Sequence, residues 1–436
     1  MIPLFCVPDA RKSQQSNQFT HLDMSSHTII VGGGIIGVTT AYYLARAGHR
    51  VTLLERNQLH EGASKGNAGI IALGHPPLGR PGLVWKTIKW MLDGGSPLYI
   101  PPRVDFGLFA WMWRFRSACT PAHFNHCMNI LAQLGWETGE CWDKLVADES
   151  LDCEYNTGGW LDVFLTREGM DHGLEDARLL NKHDYKTTTL SGDQLRAFQP
   201  AFLPEVVGAV HYTDSRFANP RRAVEQIADR AKKHGATLRF QTPVKSFVTS
   251  NGVCSGVTLE TGEQLHADSV VLAAGVWSDA LARQFGVRIP MQAGKGYHLN
   301  LTAPDPCPTV SCVLNETFVA VTPMDGGLRL AGTVELSGIN HKIYRRRLEM
   351  LPEGARKYLH GIDQTIVKSE WCGLRPCTAD GLPVIGWAPK LRNLFIAAGH
   401  AKYGFAYGPA TARIAADHIL SNGSAIDIRP FNADRF

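Results

Sequence analysis

The sequence predicts an α/β protein with two domains: an interrupted Rossmann-type domain, and a second α+β domain built on a mainly antiparallel sheet. Three observations predict this fold. A strand, a glycine-rich turn, a helix and a second strand follow one another near the N-terminus; the same kind of alternation returns near Ala223 and again near Leu394; and strand-like stretches separated by turns lie between them. The 436 residues, 44% of them hydrophobic, suffice for two domains with sizeable cores.

The first strand–helix–strand unit covers residues 28–54. Residues 28–31 are mostly β-branched, which is typical of a buried strand. Residues 38–47 place small and apolar side chains on one helical face, Gly48 ends that helix, and residues 51–54 form the second strand.

Periodicity and turn residues predict the later elements. Helices are predicted within residues 76–147, at 223–234, from about 344 onwards and at 408–420. Strands are predicted at residues 237–240, 244–248, 253–259, 264–266, 269–273, 297–301, 318–322, 328–331 and 394–397.

Composition and charge exclude several classes of protein. The net charge of +4 is spread along the chain without a basic run, so we expect no nucleic-acid partner. The ten cysteines lack zinc-ligand spacing, so we expect reduced thiols, a cytoplasmic location and no metal site. The sequence contains no run of about 18 apolar residues, so we expect no membrane-spanning helix. The most apolar stretch, residues 106–115 with Trp111 and Trp113, favours a buried amphipathic helix over a peripheral membrane contact.

The glycine-rich turn is Gly32-Gly33-Gly34-Ile35-Ile36-Gly37, a GxGxxG pattern between a strand and a helix. Gly32 permits the tight turn, Gly34 lets the backbone approach a pyrophosphate, and Gly37 lets the helix pack on the sheet. The N–H groups around Ile35 and Ile36 open the helix and face the phosphates with a partial positive charge. The turn therefore predicts a dinucleotide site.

Glu55 ends the second strand and is the expected partner of the ribose. A carboxylate there can accept hydrogen bonds from both ribose hydroxyls and would repel a 2′-phosphate, which argues against NADP. After Glu55 the strand–helix alternation breaks into small residues at 62–69, and it resumes only far down the chain. A nucleotide domain interrupted in this way favours FAD, whose long molecule passes several segments, over NAD.

These observations define a predicted domain division. The segments are a flexible N-terminal tail at 1–26, a discontinuous FAD-binding domain at 27–75, 215–288 and 371–436, and a substrate-binding domain at 76–214 and 289–370. Residues 1–26 lack the apolar stretch of a signal peptide, and Met24 is an alternative start to Met1.

Several blocks, in a fixed order, carry a family resemblance. They are the glycine-rich turn, Ser-Lys-Gly-Asn-Ala-Gly at 64–69, the block at 270–278, Gly-Lys-Gly-Tyr-His at 294–298, the block at 371–386 and Gly-His-Ala-Lys-Tyr-Gly at 399–404. From about residue 27 to its end the chain resembles the D-amino-acid oxidase superfamily of flavoproteins, in particular its D-amino-acid dehydrogenase and glycine/sarcosine oxidase-like branch. Many of these relatives have glycine where this chain has Ala401, so we expect the backbone near the flavin to differ slightly.

The resemblance implies FAD as cofactor and adds contacts along the chain. The further cofactor-binding residues that it implies are Arg56, Ser64, Asn67, Ala68, Gly69, Val244, Ala274, Gly275, Trp277, Gly399 and Gly404.

The expected reaction is hydride transfer from a carbon next to an amine nitrogen, with three candidate site residues. Arg375 would bind a substrate carboxylate bidentately from a Leu-Arg-Pro turn stiffened by Pro376; the alternative is a structural arginine bound to carbonyl groups. Tyr297 would supply a hydroxyl or an aromatic wall, or is a core tyrosine. His400 would contact the flavin or the substrate, or is a turn histidine bound to backbone.

The resemblance favours a D-amino or imino acid as substrate, with D-proline or a hydroxy-D-proline preferred because of residues 327–335 and the following Arg345-Arg346-Arg347. The alternatives are glycine, sarcosine or another secondary amine, and an FAD-binding subunit of a heteromeric dehydrogenase. A quinone or oxygen is the expected electron acceptor.

Overall fold

The computed structural model describes residues 26–59, 61–74, 76–82, 96–424 and 426–436. Almost all of the tail predicted at residues 1–26, and part of the stretch 76–147, lie outside these ranges. In chain order the described strands are β1 (His27–Val31), β2 (Arg50–Leu54), β3 (Ile70–Ile71), β4 (Leu98–Tyr99), β5 (Trp160–Phe164), β6 (Thr187–Ser191), β7 (Gly208–Tyr212), β8 (Arg216–Phe217), β9 (Thr237–Arg239), β10 (Val244–Ser250), β11 (Val253–Leu259), β12 (Gln264–His266), β13 (Ser269–Leu272), β14 (Met291–Thr302), β15 (Ser311–Leu314), β16 (Val319–Met324), β17 (Gly327–Glu335), β18 (Val367–Thr378), β19 (Val384–Trp387) and β20 (Leu394–Ala398). The described α-helices are α1 (Ile35–Arg46), α2 (Phe106–Ala118), α3 (Pro121–Glu149), α4 (Arg167–Asn181), α5 (Gly192–Phe198), α6 (Pro220–Lys233), α7 (Ser278–Ala282), α8 (Arg345–Ala355) and α9 (Gly408–Ile419).

The first sheet is built on the predicted strand–helix–strand unit. Its strand order is β19-β20-β13-β1-β2-β9, and all neighbours are parallel except β19, which pairs with β20 in the antiparallel sense. Helix α1 packs between α6 and α9. Strands from three distant parts of the chain thus form one sheet, as the interrupted pattern predicted.

The second sheet has nine strands, in the order β18-β14-β17-β16-β15-β5-β7-β6, with β4 paired beside β17. Its pairings are antiparallel except β15 with β5 and β17 with β4. The predicted fold class, α/β with a mainly antiparallel second sheet, is confirmed. Strand β18 runs across the boundary predicted at residue 371, so residues up to Thr378 belong to this sheet.

Pro376 lies inside β18 and not in a turn, which corrects the expected Leu-Arg-Pro turn. The sequence pattern suggested a turn because proline has no N–H for a strand ladder. Strand β18 is at the end of the sheet order and pairs only with β14 on the described path, and such an edge position tolerates proline. Arg375 is therefore presented by a paired strand.

Within the described ranges, no helix is both long enough and apolar enough to cross a bilayer. The helical character predicted for residues 76–147 is found in α2 and α3. Helix α2 buries only part of its surface, because Phe106, Phe109 and Trp113 are exposed. The expectation of a buried amphipathic helix therefore holds only for the side with Leu108 and Trp111.

Candidate active site

Backbone contacts at the first and third glycines close the turn between β1 and α1 and leave no room there for a side chain. Gly32 has φ +114°, and a Cβ on it would lie 2.4 Å from the Ala273 carbonyl oxygen. A Cβ on Gly37 would lie 1.9 Å from the Gly32 carbonyl oxygen. Gly34, in contrast, has only the Ser64 hydroxyl oxygen nearby, at 3.3 Å. The first and third glycines thus shape the turn, and the second leaves space for a ligand.

Glu55 at the end of β2 faces this turn. Its Oε2 accepts a hydrogen bond from the Gly33 N–H at 2.6 Å, and its Oε1 accepts one from the Asn57 N–H at 2.9 Å. Two backbone donors therefore fix the carboxylate in place, while its remaining lone pairs stay available to ribose hydroxyls.

The loop at residues 64–69 closes over the start of α1. The Ile35 N–H donates to the Ser64 hydroxyl at 3.0 Å. The Asn67 amide spans its own loop, since Nδ2 donates to the Ser64 carbonyl oxygen at 2.9 Å and Oδ1 accepts from the Gly69 N–H at 2.7 Å. Asn67 therefore shapes the loop, and its backbone is the part left to meet a cofactor.

Side chains of the second sheet bind the backbone carbonyl groups of that loop. Arg329 Nη1 donates to the Asn67 carbonyl oxygen at 2.8 Å, and the Thr322 hydroxyl donates to the Ala68 carbonyl oxygen at 2.7 Å. His298 Nδ1 lies 2.8 Å from the carbonyl oxygen of Gly66. Since burial lowers the pKa of His298 to about 3, its ring is neutral, and Nδ1–H is the donor. The second sheet thus holds the loop over the dinucleotide turn.

A cavity of about 450 Å³ runs from Glu55 to Arg375 between these elements. The predicted residues that line it are Gly32, Gly34, Ile35, Ile36, Glu55, Arg56, Ser64, Asn67, Val244, Ala274, Gly275, Trp277, Arg375, Gly399, His400 and Gly404. Four predicted residues, Gly37, Ala68, Gly69 and Tyr297, are not among its described lining residues. The first three act through the backbone geometry of the turn and the loop.

The end of the cavity beyond Glu55 is walled by an arginine–tryptophan stack. The Arg56 guanidinium carbon lies 4.9 Å from the centroid of the Trp277 ring. Val244 at the start of β10 and Gly275 complete this end. Gly275 has φ +57°, and a Cβ on it would have no atom within 4 Å. The flat walls and open glycine suit a planar base.

Arg375 lies at the other end of the cavity. Its guanidinium covers Gly296 of β14, where a Cβ would lie 2.2 Å from Nη1, and Nη1 donates to the Thr333 carbonyl oxygen at 3.1 Å. Burial lowers the pKa of Arg375. No ion pair to Arg375 occurs within the described residues, so most of its donors are left for a ligand.

Tyr297 is placed elsewhere, which corrects its assignment to the catalytic group. It is 1% exposed in the core of the second sheet, and its hydroxyl donates to Glu335 Oε2 at 2.6 Å. Glu335 Oε1 also pairs with Lys295 Nζ at 3.0 Å, and both of these side chains are fully buried. The strand pairing turns Tyr297 towards this buried ion pair, so the core-tyrosine alternative describes its position.

His400 follows β20 and lines the cavity. Its Nε2 lies 2.9 Å from the Thr411 hydroxyl, and burial lowers its pKa to about 3, so the ring is neutral. Its Nδ1 is buried and has no hydrogen-bond partner among the described residues. A buried unsatisfied ring nitrogen beside a cavity is costly unless a ligand satisfies it. Together with the glycine-rich turn, it fits a dinucleotide cofactor.

Comparison with known proteins agrees with this geometry. The family model described as FAD dependent oxidoreductase (DAO) matches residues 27–418. The chain belongs to this family. FAD is accordingly its cofactor, and the protein is an FAD-dependent oxidoreductase with the DAO-family fold.

Relatives and solved structures cover nearly the whole chain. A D-amino acid dehydrogenase of Methylobacterium radiotolerans is 31% identical, over 92% of this chain and 97% of the relative. A D-amino acid dehydrogenase of Xanthobacter autotrophicus is 30% identical, over 94% of this chain and 98% of the relative. The crystal structure of glycine oxidase from Geobacillus kaustophilus superposes with a TM-score of 0.76 at 22% identity, over 94% of this chain and all (100%) of that chain.

Among the charged cavity residues of this oxidoreductase that the sequence did not predict, which are Glu61, Lys245, Glu260 and Lys402, Lys402 is nearest in sequence to His400. It lines the cavity two residues after His400. Its side chain is exposed to the cavity. Desolvation by the cavity walls, and then the charges of Arg80 and Arg375, lower its pKa to about 7, while Asp162 and Asp176 act in the opposite direction. A lysine in the otherwise small and aromatic block 399–404 was the available signal.

The departure at Ala401 has a structural counterpart in this flavoprotein. Ala401 has φ +49°, in the left-handed region that favours glycine. Its methyl group is buried among Leu108, Trp111 and Cys377. The alanine therefore keeps a glycine-like backbone next to His400 and gains packing in exchange for some strain.

Proposed function

We propose that the protein oxidises a small D-configured amino or imino acid, with D-proline or a hydroxy-D-proline preferred. FAD, when bound, supplies N5 as the acceptor of the hydride from the substrate α-carbon. The resulting imine is hydrolysed to a 2-oxo acid, or stays cyclic when the substrate is a ring. A quinone or oxygen accepts the electrons afterwards.

The observation that carries this proposal is the half-buried Arg375 guanidinium at one end of the cavity. Its only hydrogen-bond acceptor among the described residues is the Thr333 carbonyl oxygen. A cation that is partly desolvated and has no ionic partner is unfavourable, and a substrate carboxylate would both neutralise it and occupy its planar fork. A carboxylate held there would fix the position of the α-carbon that reacts.

The names of the relatives support an amino acid as substrate. The two curated relatives at 31% and 30% identity are D-amino acid dehydrogenases. The preference for a ring substrate rests on the resemblance of residues 327–335 and Arg345-Arg346-Arg347 to the D-proline and hydroxyproline dehydrogenases. In the structure Arg347 donates to the carbonyl oxygens of Ser96 and Pro97 and so supports the fold.

Glycine or sarcosine is the second candidate substrate. Arg375 would recognise only the carboxylate, which glycine and sarcosine share with the D-amino acids. A substrate screen therefore has to separate the two candidates.

The experiment that tests the proposal compares an acid with its decarboxylated amine. D-proline and pyrrolidine are mixed anaerobically with the parent and with Arg375→Ala, and bleaching of the flavin absorption is followed. We expect Arg375→Ala to slow reduction by D-proline by roughly 10²- to 10³-fold, because an unpaired buried carboxylate costs several kcal/mol. Pyrrolidine should change much less, and FAD content should stay near that of the parent.

Arg375→Lys is the matched variant, since it keeps the charge and loses the planar fork. It should raise KM and also slow reduction at saturation, because the hydrogen is aimed less well at N5. If the acid loses no more than the amine in Arg375→Ala, the carboxylate anchor is not Arg375.

A wider bleaching screen tests the substrate class itself. D- and L-amino acids, the proline and hydroxyproline isomers, glycine and sarcosine are compared under the same conditions. Faster bleaching by L-amino acids or by simple amines would overturn the preferred substrate. A protein that no compound reduces, and that co-purifies with a second chain, would be an FAD-binding subunit of a larger dehydrogenase.

A further inference from the structure

Helix α2 has one face in the protein and one in solvent. On the inner face Leu108 and Trp111 are 3% and 9% exposed, and the Trp111 Nε1–H donates to the Cys377 carbonyl oxygen at 2.9 Å. These residues pack with Ala401. Since Cys377 and Ala401 are close in sequence to Arg375 and to His400, α2 rests directly on the Arg375 end of the cavity, which is the proposed substrate end.

The outer face of α2 is apolar. Phe106, Phe109 and Trp113 are 82%, 52% and 68% exposed, and Val104 just before the helix is 85% exposed. Phe106, Phe109 and Trp113 are spaced at i, i+3 and i+7, so they lie on one side of the helix. We call these four residues the outer α2 face. Single exposed apolar residues are common on proteins, whereas a contiguous aromatic face indicates a binding surface.

The charges around this face are positive. Arg114 and Arg116 are exposed, and the Arg116 guanidinium carbon lies 5.9 Å from the Trp113 ring centroid. The one acidic residue between residues 96 and 119 is Asp105, which pairs with Arg103 at 2.9 Å and accepts a hydrogen bond from the Leu108 N–H. Two arginines beside the outer α2 face are therefore not matched by acids in this stretch.

We propose that the outer α2 face docks on the surface of an anionic lipid bilayer, with the helix lying in the plane of the interface. Aromatic side chains favour the headgroup region, and flanking arginines pair with lipid phosphates. A helix of 13 residues is about 20 Å long, too short to cross a hydrocarbon core of about 30 Å.

Charge favours lipid over a second copy of the chain. In a two-fold contact the same face meets itself, so Arg114 and Arg116 would approach their own counterparts. A bilayer that contains phosphatidylglycerol supplies the opposite charge. Docking there would place the substrate end of the cavity, through Trp111 and Cys377, next to the membrane. Docking of this face does not depend on which substrate is oxidised.

The experiment is co-sedimentation of the FAD-loaded protein with vesicles. One set contains equal parts of phosphatidylglycerol and phosphatidylcholine, and the other contains phosphatidylcholine alone. We expect the parent to sediment with the anionic set and to bind the neutral set more weakly. Phe106→Ser/Phe109→Ser/Trp113→Ser should weaken binding at least about tenfold, because the buried apolar area is lost.

A charge variant and a matched control distinguish specific lipid binding from nonspecific hydrophobic adsorption. Arg114→Gln/Arg116→Gln should bind the anionic set about 25-fold more weakly, at about fivefold for each arginine. Ile366→Ser/Val367→Ser removes two side chains that are 69% and 53% exposed elsewhere, and it should bind like the parent. FAD absorption and substrate reduction should be unchanged in all variants, because none of these residues lines the cavity.

Three results would overturn the proposal. The parent stays in the supernatant with both vesicle sets; the triple variant binds as the parent does; or the Ile366/Val367 control loses as much binding as the triple variant. A triple variant that turns a dimer into a monomer, with no vesicle binding by the parent, would assign the face to a second copy of the chain.

Discussion

The two ends of the cavity are built from different parts of the chain. At the dinucleotide end, a contiguous unit supplies glycine backbone and one carboxylate, with Gly32, Gly37 and Glu55 all within β1, α1 and β2 or their turns. At the proposed substrate end, Arg375 comes from the edge strand β18, and His400 and Lys402 come from the turn after β20. The geometry of the first end depends on how closely backbone segments approach one another. The chemistry of the second end depends on which side chains of the sheet face the cavity. Substitutions should therefore affect the two ends in different ways.

Gly37→Ala should have the largest effect, because it disturbs the backbone of the dinucleotide end. A Cβ there would lie 1.9 Å from the Gly32 carbonyl oxygen, so the turn and α1 must separate. We expect a loss of at least about 3 kcal/mol of stability together with loss of bound FAD. Thermal unfolding and the flavin absorption of the purified protein measure both.

The control for this substitution is Gly62→Ala, which lies in the same cavity wall and has no atom within 4 Å of a new Cβ. It should keep both stability and FAD. Retention of FAD by Gly37→Ala at the level of the control would refute the backbone account of this end.

Glu55→Gln should affect FAD affinity and leave reactivity intact. Each Glu55 oxygen now accepts a backbone N–H, and an amide can accept on one side only. Loss of a charge-assisted interaction of about 1.5–3 kcal/mol corresponds to roughly 10- to 100-fold weaker FAD binding. Flavin reduction at saturating FAD should match the parent, as a stopped-flow comparison would show.

The control is Glu61→Gln, at another carboxylate of the cavity wall, and it should bind FAD normally. Equal FAD affinities for the parent, Glu55→Gln and Glu61→Gln would exclude Glu55 as the ribose partner.

Lys402 should give the substrate end a pH dependence that the dinucleotide end lacks. Its pKa is lowered to about 7, so its positive charge is present below that pH and is lost as the pH rises through it. The affinity for an unreactive carboxylate such as acetate, measured from the shift in flavin absorption, should then fall about 3- to 10-fold across this range. FAD affinity should stay flat.

Asp162 complicates this titration, because burial raises its pKa to about 7. Its negative charge appears as the pH rises and acts on acetate with the same sign. Lys402→Met should remove one part of the pH dependence, and Asp162→Asn should remove the other. A parent-like profile in Lys402→Met would show that Asp162 alone is responsible.

Ala401→Gly should have the smallest effect. Glycine relieves the left-handed strain at φ +49° and loses the packing of one methyl group, so the two changes nearly cancel. We expect a change in unfolding free energy within about 1 kcal/mol. Ala410→Gly, in the buried part of α9, should destabilise by more than about 1 kcal/mol, because no strain is relieved there. Equal losses in both variants would show that Ala401 is not strained.

The sequence was most informative where chemistry depends on local spacing. Gly32, Gly34, Gly37 and Glu55 follow one another in a fixed order, so the turn and its carboxylate could be predicted without any tertiary information. The position of Arg375 in the cavity was also expected from the resemblance. The turn predicted around Arg375 was wrong, because only the sheet order shows that Pro376 is on an edge strand.

Tertiary contacts determine the positions of the residues that the sequence placed wrongly or did not predict, which are Tyr297 and Lys402. Tyr297 and Arg375 lie in neighbouring strands, and nothing in either strand's sequence tells which side chain faces the cavity and which faces Glu335. The charges that shift the pKa of Lys402 include those of Arg80, Asp162 and Asp176, which lie more than 200 residues away in the chain.

The bonds that hold the loop at residues 64–69 have a consequence for biosynthesis. His298, Thr322 and Arg329 bind its carbonyl oxygens across separations of 232, 254 and 262 residues. When the dinucleotide turn leaves the ribosome, the side chains that close the loop have not yet been made. We expect nascent chains that end before residue 290 to capture no FAD, and full-length chains to acquire the cofactor late and slowly, since contacts at such separations form late in folding.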